Sequence, residues 1–332
     1  MQQKNKKVLI TGANGFLGSN VARELFRKGY EVKLMIRPSA NVSVISDIPS
    51  EIFYGDISKE EEVMKAVEGC DFVVHTASVT GQWGITFKEY EQVNVTGTKN
   101  VVKACLAHQV ERLIHISTAN TIGPGNKSKP GTELNSFALL YVNSGYINSK
   151  YIAQQYVLEQ VERAKLPAVI INPTFMVGEY DAKPSSGKLI LHGINKRLVF
   201  YPPGGKNFVH IKDVCSGIIS ALEIGKIGDC YLMAGENLSY KEFFNLLNQV
   251  SGQDPILIRI PEFVLKIGGI MGTLSGIFSP VPRKLTYSSA YMLCLSNYYL
   301  GKKSERELML KYTPIENAIE NALKWFREND YC

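Results

Sequence analysis

Paired cysteines are missing from this chain of 332 residues, which contains six scattered cysteines. No Cys-x-x-Cys pair occurs, and no cysteine lies near a histidine cluster, so the sequence indicates neither a zinc site nor a disulfide framework. Isolated thiols are typical of a reducing compartment. We therefore expect no metal centre and a cytoplasmic protein. The cysteines are Cys70, Cys105, Cys215, Cys230, Cys294 and Cys332.

Long hydrophobic runs and long runs of one charge are also missing. The N-terminus MQQKNKK leads directly into a short apolar VLI and has no signal-peptide core. The longest apolar region, 256–281, is interrupted by Arg259, Glu262 and Lys266 and contains four glycines, so it predicts no membrane span. The formal charge of +6 is spread along the chain. It suits anionic small ligands but gives no case for nucleic acid.

What the sequence does contain is a regular alternation of short apolar runs and longer amphipathic segments. The runs KVLI, EVKLMI, EIFYGDI, DFVVHTAS, RLIHIS and AVIINPT are rich in β-branched residues, and between them lie segments long enough for crossover helices. This pattern predicts an α/β fold, in which a doubly wound parallel sheet of the Rossmann type carries helices on both faces.

The first predicted strand ends in TGANGFLGSNVARELFRKGY, where Gly12, Gly15 and Gly18 stand three residues apart at the start of a helix. Residues without Cβ allow backbone N–H groups to approach a pyrophosphate, which then lies at the positive end of the helix dipole. Because the triplet follows a strand, opens an amphipathic helix and precedes another strand, it predicts a dinucleotide site rather than an ordinary glycine-rich turn.

The change of pattern after Pro173 predicts the domain organisation. Gly/Pro-rich loops and a helix-rich tail replace the alternating runs, and they indicate a smaller C-terminal α/β substrate domain. We expect 1–175 and 206–235 to form the dinucleotide-binding Rossmann domain, and 176–205 and 236–332 to form the substrate-binding domain.

The end of the second predicted strand bears on which dinucleotide is bound. This strand usually ends in an acidic residue that bonds the ribose hydroxyls of NAD, but LMIRPSAN places Ile36 and Arg37 there. The lost carboxylate and the added guanidinium favour NADP(H), with NAD(H) as the alternative. A solvated surface arginine is the other interpretation of Arg37. Asp56, in YGDIS, would accept the adenine amino group or act as the N-cap of the helix at SKEEEV.

A phenol stands four residues ahead of an ammonium in YINSK, where Tyr146 and Lys150 would share one face of a helix. Spacing alone does not establish chemistry, because the same interval recurs at two later pairs, Tyr298/Lys302 and Tyr299/Lys303. A free phenol titrates at about 10, so it transfers protons poorly at neutral pH unless a nearby cation lowers its pKa. Lys150 would supply that cation.

A series of motifs in fixed order carries a family resemblance. The motifs are TGANGFLG, GDIS, HTAS, NVTGTKNVV, ISTANTIG, YINSK, NPT and FVHIKDV. In this order and at these intervals, over nearly the whole chain, the sequence resembles the extended short-chain dehydrogenase/reductase family, part of the NAD-dependent epimerase/dehydratase superfamily. HTAS, IRP and the tail from PEFVL to ALKWFRE look most like its dihydroflavonol 4-reductase-like and 3β-hydroxysteroid dehydrogenase-like branch.

The resemblance implies a catalytic set of Thr118, Tyr146 and Lys150. In the family the tyrosine exchanges a proton with the substrate oxygen, the lysine supports it and holds the nicotinamide ribose, and the threonine donates to that oxygen. Counting back from Gly123, as the family motif does, selects Thr118 rather than Ser117. The later tyrosine–lysine pairs fall in the segment that resembles the substrate domain, and we interpret them as coincidence.

The resemblance also implies which residues hold the cofactor. They come from the glycine loop, the ends of the second to fourth strands, the catalytic helix and the nicotinamide loop: Gly12, Asn14, Gly15, Phe16, Leu17, Gly18, Arg37, Asp56, Ile57, Thr76, Ala77, Ser78, Asn94, Tyr146, Lys150, Pro173, Thr174 and Phe175. Asn94 is expected to organise the site. His75 and His115 are expected to be satisfied core residues, and His210 and Asp213 to position the late sheet against the small domain.

Two reactions remain open. Ala119 and Asn120 replace the acidic pair that nucleotide-sugar 4,6-dehydratases of the family place after the threonine, which disfavours that class. Arg37 favours NADP(H), and the resemblance of the tail to steroid and flavonoid reductases implies a hydrophobic substrate. We therefore expect an NADP(H)-preferring oxidoreductase that interconverts a ketone and a secondary alcohol on a hydrophobic small molecule, such as a dihydroflavonol, a steroid or an oxo-lipid. An NAD-dependent nucleotide-sugar epimerase is the alternative. The intact catalytic set disfavours a cofactor sensor without turnover.

Three amphipathic segments bear on substrate and assembly. Apolar residues in 263–278 recur at three- and four-residue steps and predict one apolar face, formed by Phe263, Ile267, Ile270, Met271, Leu274, Ile277 and Phe278. This face either closes the core of the small domain or covers a lipophilic substrate. The segments 91–107 and 149–161 match helices that form a four-helix interface in the family, so we expect a homodimer.

Overall fold

The computed structural model describes residues 6–81, 84–277 and 285–332, with the backbone only for 275–277. The strands within these residues are β1 (Lys7–Thr11), β2 (Glu31–Ile36), β3 (Glu51–Tyr54), β4 (Phe72–His75), β5 (Arg112–Ile116), β6 (Ala168–Pro173), β7 (Phe175–Val177), β8 (Leu198–Tyr201), β9 (Gly205–His210), β10 (Cys230–Met233), β11 (Glu236–Ser239), β12 (Ile256–Arg259) and β13 (Ser296–Asn297). The α-helices there are α1 (Phe16–Arg27), α2 (Glu60–Val67), α3 (Phe87–Tyr90), α4 (Gly97–Ala107), α5 (Gly145–Ala164), α6 (Lys188–Gly193), α7 (Ile211–Ile224), α8 (Tyr240–Ser251), α9 (Glu262–Ile277), α10 (Tyr287–Cys294), α11 (Lys302–Glu307) and α12 (Ile315–Glu328). A π-helical turn, Glu91–Thr96, joins α3 to α4.

The main sheet has seven parallel strands in the order β10-β6-β5-β4-β1-β2-β3. Strands β1 and β4 are neighbours, although β2 and β3 lie between them in the chain. The strand order therefore reverses at β1, and such a switch point opens a crevice at the carboxyl ends of the two central strands. The predicted doubly wound α/β fold is confirmed.

Both faces of the main sheet are covered by helices, which is why its strands are apolar on both sides. On one face Val8 and Ile10 of β1 pack in a cluster with Val21 of α1. On the other face Leu9 packs in a cluster with Val101 of α4. Alternate residues of a strand point to opposite faces, so each strand contributes to two cores.

A smaller sheet follows, with the order β11-β9-β13 and β7 paired to β9. Phe208 of β9 stacks on Phe243 of α8 at a centroid distance of 4.6 Å, and Phe326 of α12 lies in the same buried cluster. Strand β9, within the segment 206–235, pairs in this second sheet, whereas α7 and β10 of the same segment pack in the first. The domain boundaries remain a prediction.

Helix α9 carries the apolar face predicted from the sequence, and that face is exposed. Its described members are 46% to 65% exposed: Phe263, Ile267, Ile270, Met271 and Leu274. Another side of α9 packs on α10, where a Cβ on Gly269 would lie 2.8 Å from the Cβ of Ala290. The interpretation of this face as part of a closed core is therefore wrong. The Ile277 side chain and Phe278 lie outside the described residues.

No helix in the described ranges is long and apolar enough to cross a membrane.

Candidate active site

The glycine loop between β1 and α1 lies at the switch point of the main sheet. Gly12 has a φ of +68°, and a Cβ there would lie 2.6 Å from the Cα of Ala77, in the loop after β4. A Cβ on Gly18 would lie 2.4 Å from the carbonyl oxygen of Gly12. Ordinary carbon contacts are about 3.5 to 4 Å long, so a side chain at either position would displace backbone.

The N-terminus of α1 is open to a ligand. The helix begins at Phe16 with Gly15 as its N-cap residue, and no side chain caps the first turn. Its first N–H groups therefore have no partner within the helix. Leu17 is buried beneath the loop, and Nδ2 of Asn14 donates to the Asn41 carbonyl at 3.3 Å. These features fit a pyrophosphate, which takes N–H donors and the positive end of a helix dipole.

Arg37 follows β2 beside the glycine loop. The N–H of Gly12 donates to the carbonyl of Met35 at 3.1 Å, which fixes the end of this strand next to the loop. Ile36 is buried, whereas the Arg37 side chain is exposed. Within the described ranges its guanidinium forms no hydrogen bond or ion pair. The side chain is therefore open to a ligand at this end of the crevice.

Asp56 and Ile57 follow β3. One carboxylate oxygen of Asp56 accepts from the N–H of Ser58 at 2.8 Å, and α2 begins with Lys59 as its N-cap residue. The interpretation of Asp56 as the N-cap is therefore wrong, because its side chain closes a turn ahead of the helix. Ile57 is buried, and its carbonyl accepts from Nδ2 of Asn100 in α4 at 2.9 Å.

Asn94, in the π-helical turn, holds the loop after β4. Its Oδ1 accepts from the Ser78 hydroxyl at 3.0 Å and from the N–H of Val79 at 2.8 Å. Its Nδ2 donates to the Ser149 hydroxyl of α5 at 2.9 Å. The side chain thus joins the loop to the helix that carries Tyr146, which is the organising position expected for it.

Thr76 tightens the same loop against β1. Its hydroxyl donates to the carbonyl of Thr11 at 2.6 Å, and the N–H of Ala77 donates to the Thr11 hydroxyl at 3.3 Å. That hydroxyl also lies 2.7 Å from Nδ1 of His75, whose Nε2 lies 3.1 Å from the Thr98 hydroxyl. His75 is therefore satisfied, as predicted, and burial lowers its pKa to about 3.

His115 departs from the expectation for a satisfied core histidine. Its ring lies 5.6 Å from that of His75 on the neighbouring strand, and neither of its nitrogens has a hydrogen-bond partner among the described residues. Burial holds its pKa well below the ordinary value. The prediction of a satisfied ring is wrong here, and the low pKa keeps the imidazole neutral.

The three predicted catalytic residues meet at the carboxyl end of β5. Tyr146 is the second residue of α5, and Lys150 follows one turn later on the same face. Thr118, two residues beyond β5, lies close enough to the Tyr146 phenol for its hydroxyl to lower the pKa of that phenol. The Lys150 ammonium is buried and donates to the carbonyl of Ile116 at 2.6 Å.

Burial controls the protonation of this cluster. It raises the pKa of Tyr146 to about 12, and the nearby Thr118 hydroxyl opposes this effect only in part. It lowers the pKa of Lys150 to about 8. The expectation that Lys150 lowers the pKa of the phenol is therefore wrong for this arrangement, in which burial is the larger effect. At neutral pH Tyr146 keeps its proton, and Lys150 is still mostly charged.

The predicted nicotinamide loop connects the two sheets. Pro173 ends β6, and the Thr174 hydroxyl donates to Oδ1 of Asn207 in β9 at 2.7 Å. Phe175 begins β7 and contacts the ring of Phe208 edge-on at a centroid distance of 5.3 Å. The hydrogen bond and the ring contact therefore hold the loop against β9.

Lys206 of β9 is a residue that sequence reasoning missed. Its Nζ lies 5.6 Å from the centre of the Phe175 ring, and burial lowers its pKa to about 8. It forms no ion pair within the described ranges. A cation therefore stands beside the nicotinamide loop. The only signal in the sequence is a lone lysine ahead of the run FVHI, which does not distinguish it from a surface lysine.

Gln154 was also missed, one turn beyond Lys150 on α5. Its Oε1 accepts from Nδ2 of Asn172 at 2.8 Å and from the Thr121 hydroxyl at 2.8 Å. Nδ2 of Asn172 also donates to the carbonyl of Thr118 at 3.1 Å. This network fixes the backbone of Thr118 between β6 and α5. The signal that would have found Gln154 is three polar residues spaced four apart on one helix face.

His210 and Asp213 take the structural positions expected for them. Nδ1 of His210 accepts from the N–H of Lys212 at 3.0 Å, and its Nε2 lies 3.1 Å from Nδ2 of Asn321 in α12. The carboxylate of Asp213 accepts from the N–H and the hydroxyl of Thr313 at 2.7 and 2.8 Å. Both residues tie α7 to the C-terminal segment.

This fold, with its glycine loop at the switch point of a parallel sheet, defines a class, the dinucleotide-binding proteins. The sequence pattern of the NAD dependent epimerase/dehydratase family matches residues 8–234, so the chain belongs to that family. The predicted resemblance to extended short-chain dehydrogenases/reductases is thereby confirmed.

Similar proteins cover the whole chain. Sterol demethylase protein B of Methylococcus capsulatus is 29% identical over 326 residues, which is 96% of this chain and 98% of that protein. The 4-hydroxy-2-methyl-3-oxo-4-farnesyl-3,4-dihydroquinoline-1-oxide ketoreductase of Stigmatella aurantiaca is 25% identical over 323 residues, 91% of each chain. The crystal structure of gox2253 matches with a TM-score of 0.87 and 31% identity, over 98% of this chain and 99% of that chain. Family and reductase relatives together make this protein an NAD(P)-dependent oxidoreductase.

Proposed function

We propose that the protein is an NADP(H)-preferring oxidoreductase that interconverts a ketone and a secondary alcohol on a hydrophobic small molecule, with Tyr146 as the acid/base. The observation that carries this proposal is the cluster in which the Thr118 hydroxyl lies near the Tyr146 phenol and Lys150 is buried one helical turn away. The cluster stands at the same edge of the parallel sheet as the glycine loop, because both follow carboxyl ends of strands.

The site residues divide the chemistry between them. A bound nicotinamide would supply or accept the hydride. Tyr146, protonated at neutral pH, donates its proton to the substrate oxygen in the reductive direction. Lys150 keeps two N–H donors beyond the one given to Ile116, and these would hold the nicotinamide ribose. The Thr118 hydroxyl donates to the oxygen on which charge develops.

The remaining predicted contacts would hold the dinucleotide along the crevice. The glycine loop and the open turn of α1 would bind the pyrophosphate, Arg37 the 2′-phosphate and Asp56 the adenine. The loop after β4 would face the ribose, and the segment from Pro173 to Phe175 would orient the nicotinamide. Asn94 would act chiefly through the bonds that it makes to Ser78 and Val79.

The surroundings of the phenol support an apolar substrate. Tyr146 packs against a cluster that contains Leu139 and Val142, which is joined from the α10 side by Tyr291 and Met292. An apolar ring system would bury its surface against these side chains. A sugar would leave hydroxyl groups unpaired there. The names of the two curated relatives, a sterol demethylase protein and a ketoreductase of a farnesylated ring, indicate the same class of substrate.

A product screen tests the proposed function. The purified protein would be incubated with NADPH or NADH and with steroid ketones, dihydroflavonols and 3-oxo-acyl esters, and alcohols would be measured by mass spectrometry. We expect reduction of apolar ketones that is lost in Tyr146→Phe. Conversion of UDP-sugars alone, or reduction that persists in Tyr146→Phe, would contradict the proposal.

A nucleotide-sugar epimerase is the second candidate, and the half-buried Lys206 beside the nicotinamide loop favours it. A cation beside the nicotinamide loop would pair with the diphosphate of a nucleotide sugar. An epimerase returns the hydride to the same sugar, so NAD would stay bound through purification without net oxidation. Epimerisation of UDP-sugars that weakens in Lys206→Met, with no reduction of apolar ketones, would establish this reaction instead.

We propose that the protein is a homodimer that pairs through α4 and α5. Ile152 of α5 is 43% exposed, and Tyr156 on the same helix is half-buried beneath the ammonium of Lys99 at 5.4 Å. Burial of Ile152 against a second copy would remove this apolar surface from water. Light scattering at micromolar concentration should report twice the chain mass, and Ile152→Glu should shift it to the monomer. A wild-type monomer would contradict the proposal.

A further inference from the structure

Strands β8 and β12 form a separate two-stranded parallel sheet with one exposed apolar side. Its register pairs Leu198 with Ile256 and Phe200 with Ile258. These four side chains are 36% to 65% exposed, whereas Val199 between them is buried. Alternate residues of a strand share a face, and paired residues on adjacent strands stand side by side. The four side chains therefore form one continuous surface, which we call the β8/β12 patch.

Three cations border the β8/β12 patch. Lys196 and Arg197 directly precede β8, and Arg259 ends β12. All three are exposed, and their side chains form no hydrogen bond or ion pair with any residue that the structure describes. Asp254, two residues ahead of β12, is the acidic residue nearest to the patch in the chain. In the residues that directly flank the two strands, cations therefore outnumber acidic groups.

The exposed apolar face of α9 follows the patch along the chain. Only Ile260 and Pro261 separate β12 from this helix. Glu262 is the one acidic residue in 256–277, and its carboxylate is paired with Lys266 at 2.6 Å. From β12 to the end of α9 the chain therefore exposes apolar side chains and cations without an unpaired acidic side chain.

We propose that the β8/β12 patch, together with the exposed face of α9, docks the protein on an anionic lipid surface. The apolar side chains would enter the boundary between headgroups and acyl chains, and the cations would contact anionic headgroups. Such docking needs no spanning helix.

The charge of the border argues against the most direct alternative, a second copy of the chain. A two-fold contact places the same surface patch on both partners. It would therefore bring Lys196, Arg197 and Arg259 of one copy close to the same cations of the other. An anionic surface instead neutralises all of them. The inference does not depend on the proposed reaction, although an apolar substrate would partition into the same lipid phase.

Vesicle co-sedimentation of the full chain tests the proposal without turnover. Vesicles of phosphatidylcholine alone would be compared with vesicles that also contain phosphatidylglycerol. Each cation near an anionic surface contributes roughly a fivefold gain in binding. We therefore expect binding to the anionic vesicles that is at least about tenfold tighter than to neutral ones and that weakens with added salt.

Matched variants locate the contact. One pair removes apolar side chains, another reverses charges, and each has a control of the same chemistry elsewhere on the surface: Leu198→Ser with Phe200→Ser against Ile224→Ser with Ile227→Ser, and Lys196→Glu with Arg197→Glu against Lys28→Glu with Lys311→Glu. The test variants should lose at least about tenfold in vesicle affinity, and the controls should stay within about twofold. Circular dichroism and cofactor binding would show that each variant is folded.

Three outcomes would overturn the proposal. The first is a wild-type protein that sediments with neither kind of vesicle. The second is an equal loss of binding in test and control variants. The third is a wild-type oligomer that dissociates in Leu198→Ser with Phe200→Ser while vesicle binding is absent, because the patch would then be an interface between copies.

Discussion

Two tyrosine–lysine pairs with the same spacing lie in very different surroundings in this molecule. Tyr146 and Lys150 both belong to α5, so the interval of four residues puts them on one face. Tyr299 instead lies ahead of α11, in a bridge with Gly131, and Lys303 lies within that helix. The interval therefore creates a neighbouring pair only where the whole segment is helical.

Both members of the later pair form bonds that stabilise the fold. The Tyr299 hydroxyl donates to the carbonyl of Ile122 at 3.3 Å. The Lys303 ammonium donates to the carbonyl of Cys230 at 3.1 Å and pairs with Asp229 at 3.1 Å. In α5, by contrast, the lysine has one carbonyl partner, and the Tyr146 phenol forms no hydrogen bond with any residue that the structure describes. Donors that remain after folding are what a substrate and a cofactor require.

Replacing each tyrosine by phenylalanine should give the largest difference between the two pairs. Tyr146→Phe should keep cofactor binding but lose turnover by a factor of about 10² to 10⁴, because the proton donor is lost. Tyr299→Phe should keep turnover within a few-fold and lower the free energy of unfolding by about 1 kcal/mol, because one buried hydrogen bond is lost. Initial rates and denaturant titrations measure the two effects. Comparable turnover in both variants would remove Tyr146 from the mechanism.

The buried ammonium predicts a pH-dependent stability that distinguishes Lys150. Its pKa is about 8 in the folded protein against 10.5 in the unfolded chain. Below pH 8 both states are charged, and the full cost of burying the charge is present. Between about 8 and 10.5 the folded state loses its proton first, so the free energy of unfolding rises with pH. The rise should amount to about 3 kcal/mol.

Lys150→Met should lack this rise. Urea titrations across the pH range would measure the difference in the free energy of unfolding between the wild type and the variant. The carbonyl of Ile116 loses its donor in the variant, which adds a cost that does not follow the same titration. Lys303→Met controls for the loss of a lysine that is paired with a carboxylate. A wild-type and Lys150→Met difference that is flat from pH 7 to 11 would contradict the prediction.

Features that depend on local sequence patterns could be predicted from the sequence. Strands β1, β2, β4, β5 and β6 appear as apolar runs because both faces of the sheet are buried there. The glycine loop is recognisable because Gly12 and Gly18 have no room for a Cβ. The motif series then predicts Thr118 beside Tyr146, and in the structure the Thr118 hydroxyl lies near the Tyr146 phenol.

Features that depend on contacts between distant segments could not be predicted from the sequence. Strand β8 pairs with β12 across an intervening segment that includes three strands and two helices, so neither the pairing of Leu198 with Ile256 nor the exposure of that face is visible in a local pattern. The raised pKa of Tyr146 arises from burial, which depends on packing between separate segments. The first turn of α2 starts after Asp56 because local turn geometry competes with capping.

Two arginines extend the same comparison to the cofactor end of the crevice. Arg23 pairs with the Asp47 carboxylate, donates to the carbonyl of Val44 at 2.6 Å and lies 3.6 Å from the centre of the Tyr180 ring. Its guanidinium is therefore occupied by contacts within the folded chain. Arg37 has no such partner within the described ranges, although it follows the strand that ends beside the glycine loop. We therefore expect Arg37 to bind the 2′-phosphate that distinguishes NADP(H) from NAD(H).

The size of this preference follows from the chemistry of the contact. A guanidinium gives charge-assisted, bidentate bonds to a phosphate, whereas a ribose hydroxyl finds no carboxylate at the buried Ile36 to accept from it. Hydrogen bonds to charged groups contribute roughly 1.5 to 3 kcal/mol, or about 10- to 150-fold in affinity. NADPH should therefore bind at least about tenfold more tightly than NADH. Arg37→Ala should remove most of that difference and leave NADH binding nearly unchanged.

Calorimetric titration of both cofactors into the wild type, Arg37→Ala and Arg37→Lys measures the preference. Arg37→Lys keeps the charge but not the planar fork, so it should retain only part of the discrimination. Lys28→Ala, which removes an exposed cation at the far end of α1, should leave both affinities unchanged and controls for net charge. Equal wild-type affinities, or an NADPH preference that survives in Arg37→Ala, would show that Arg37 is a surface charge and that exposure without a partner does not by itself identify a binding residue.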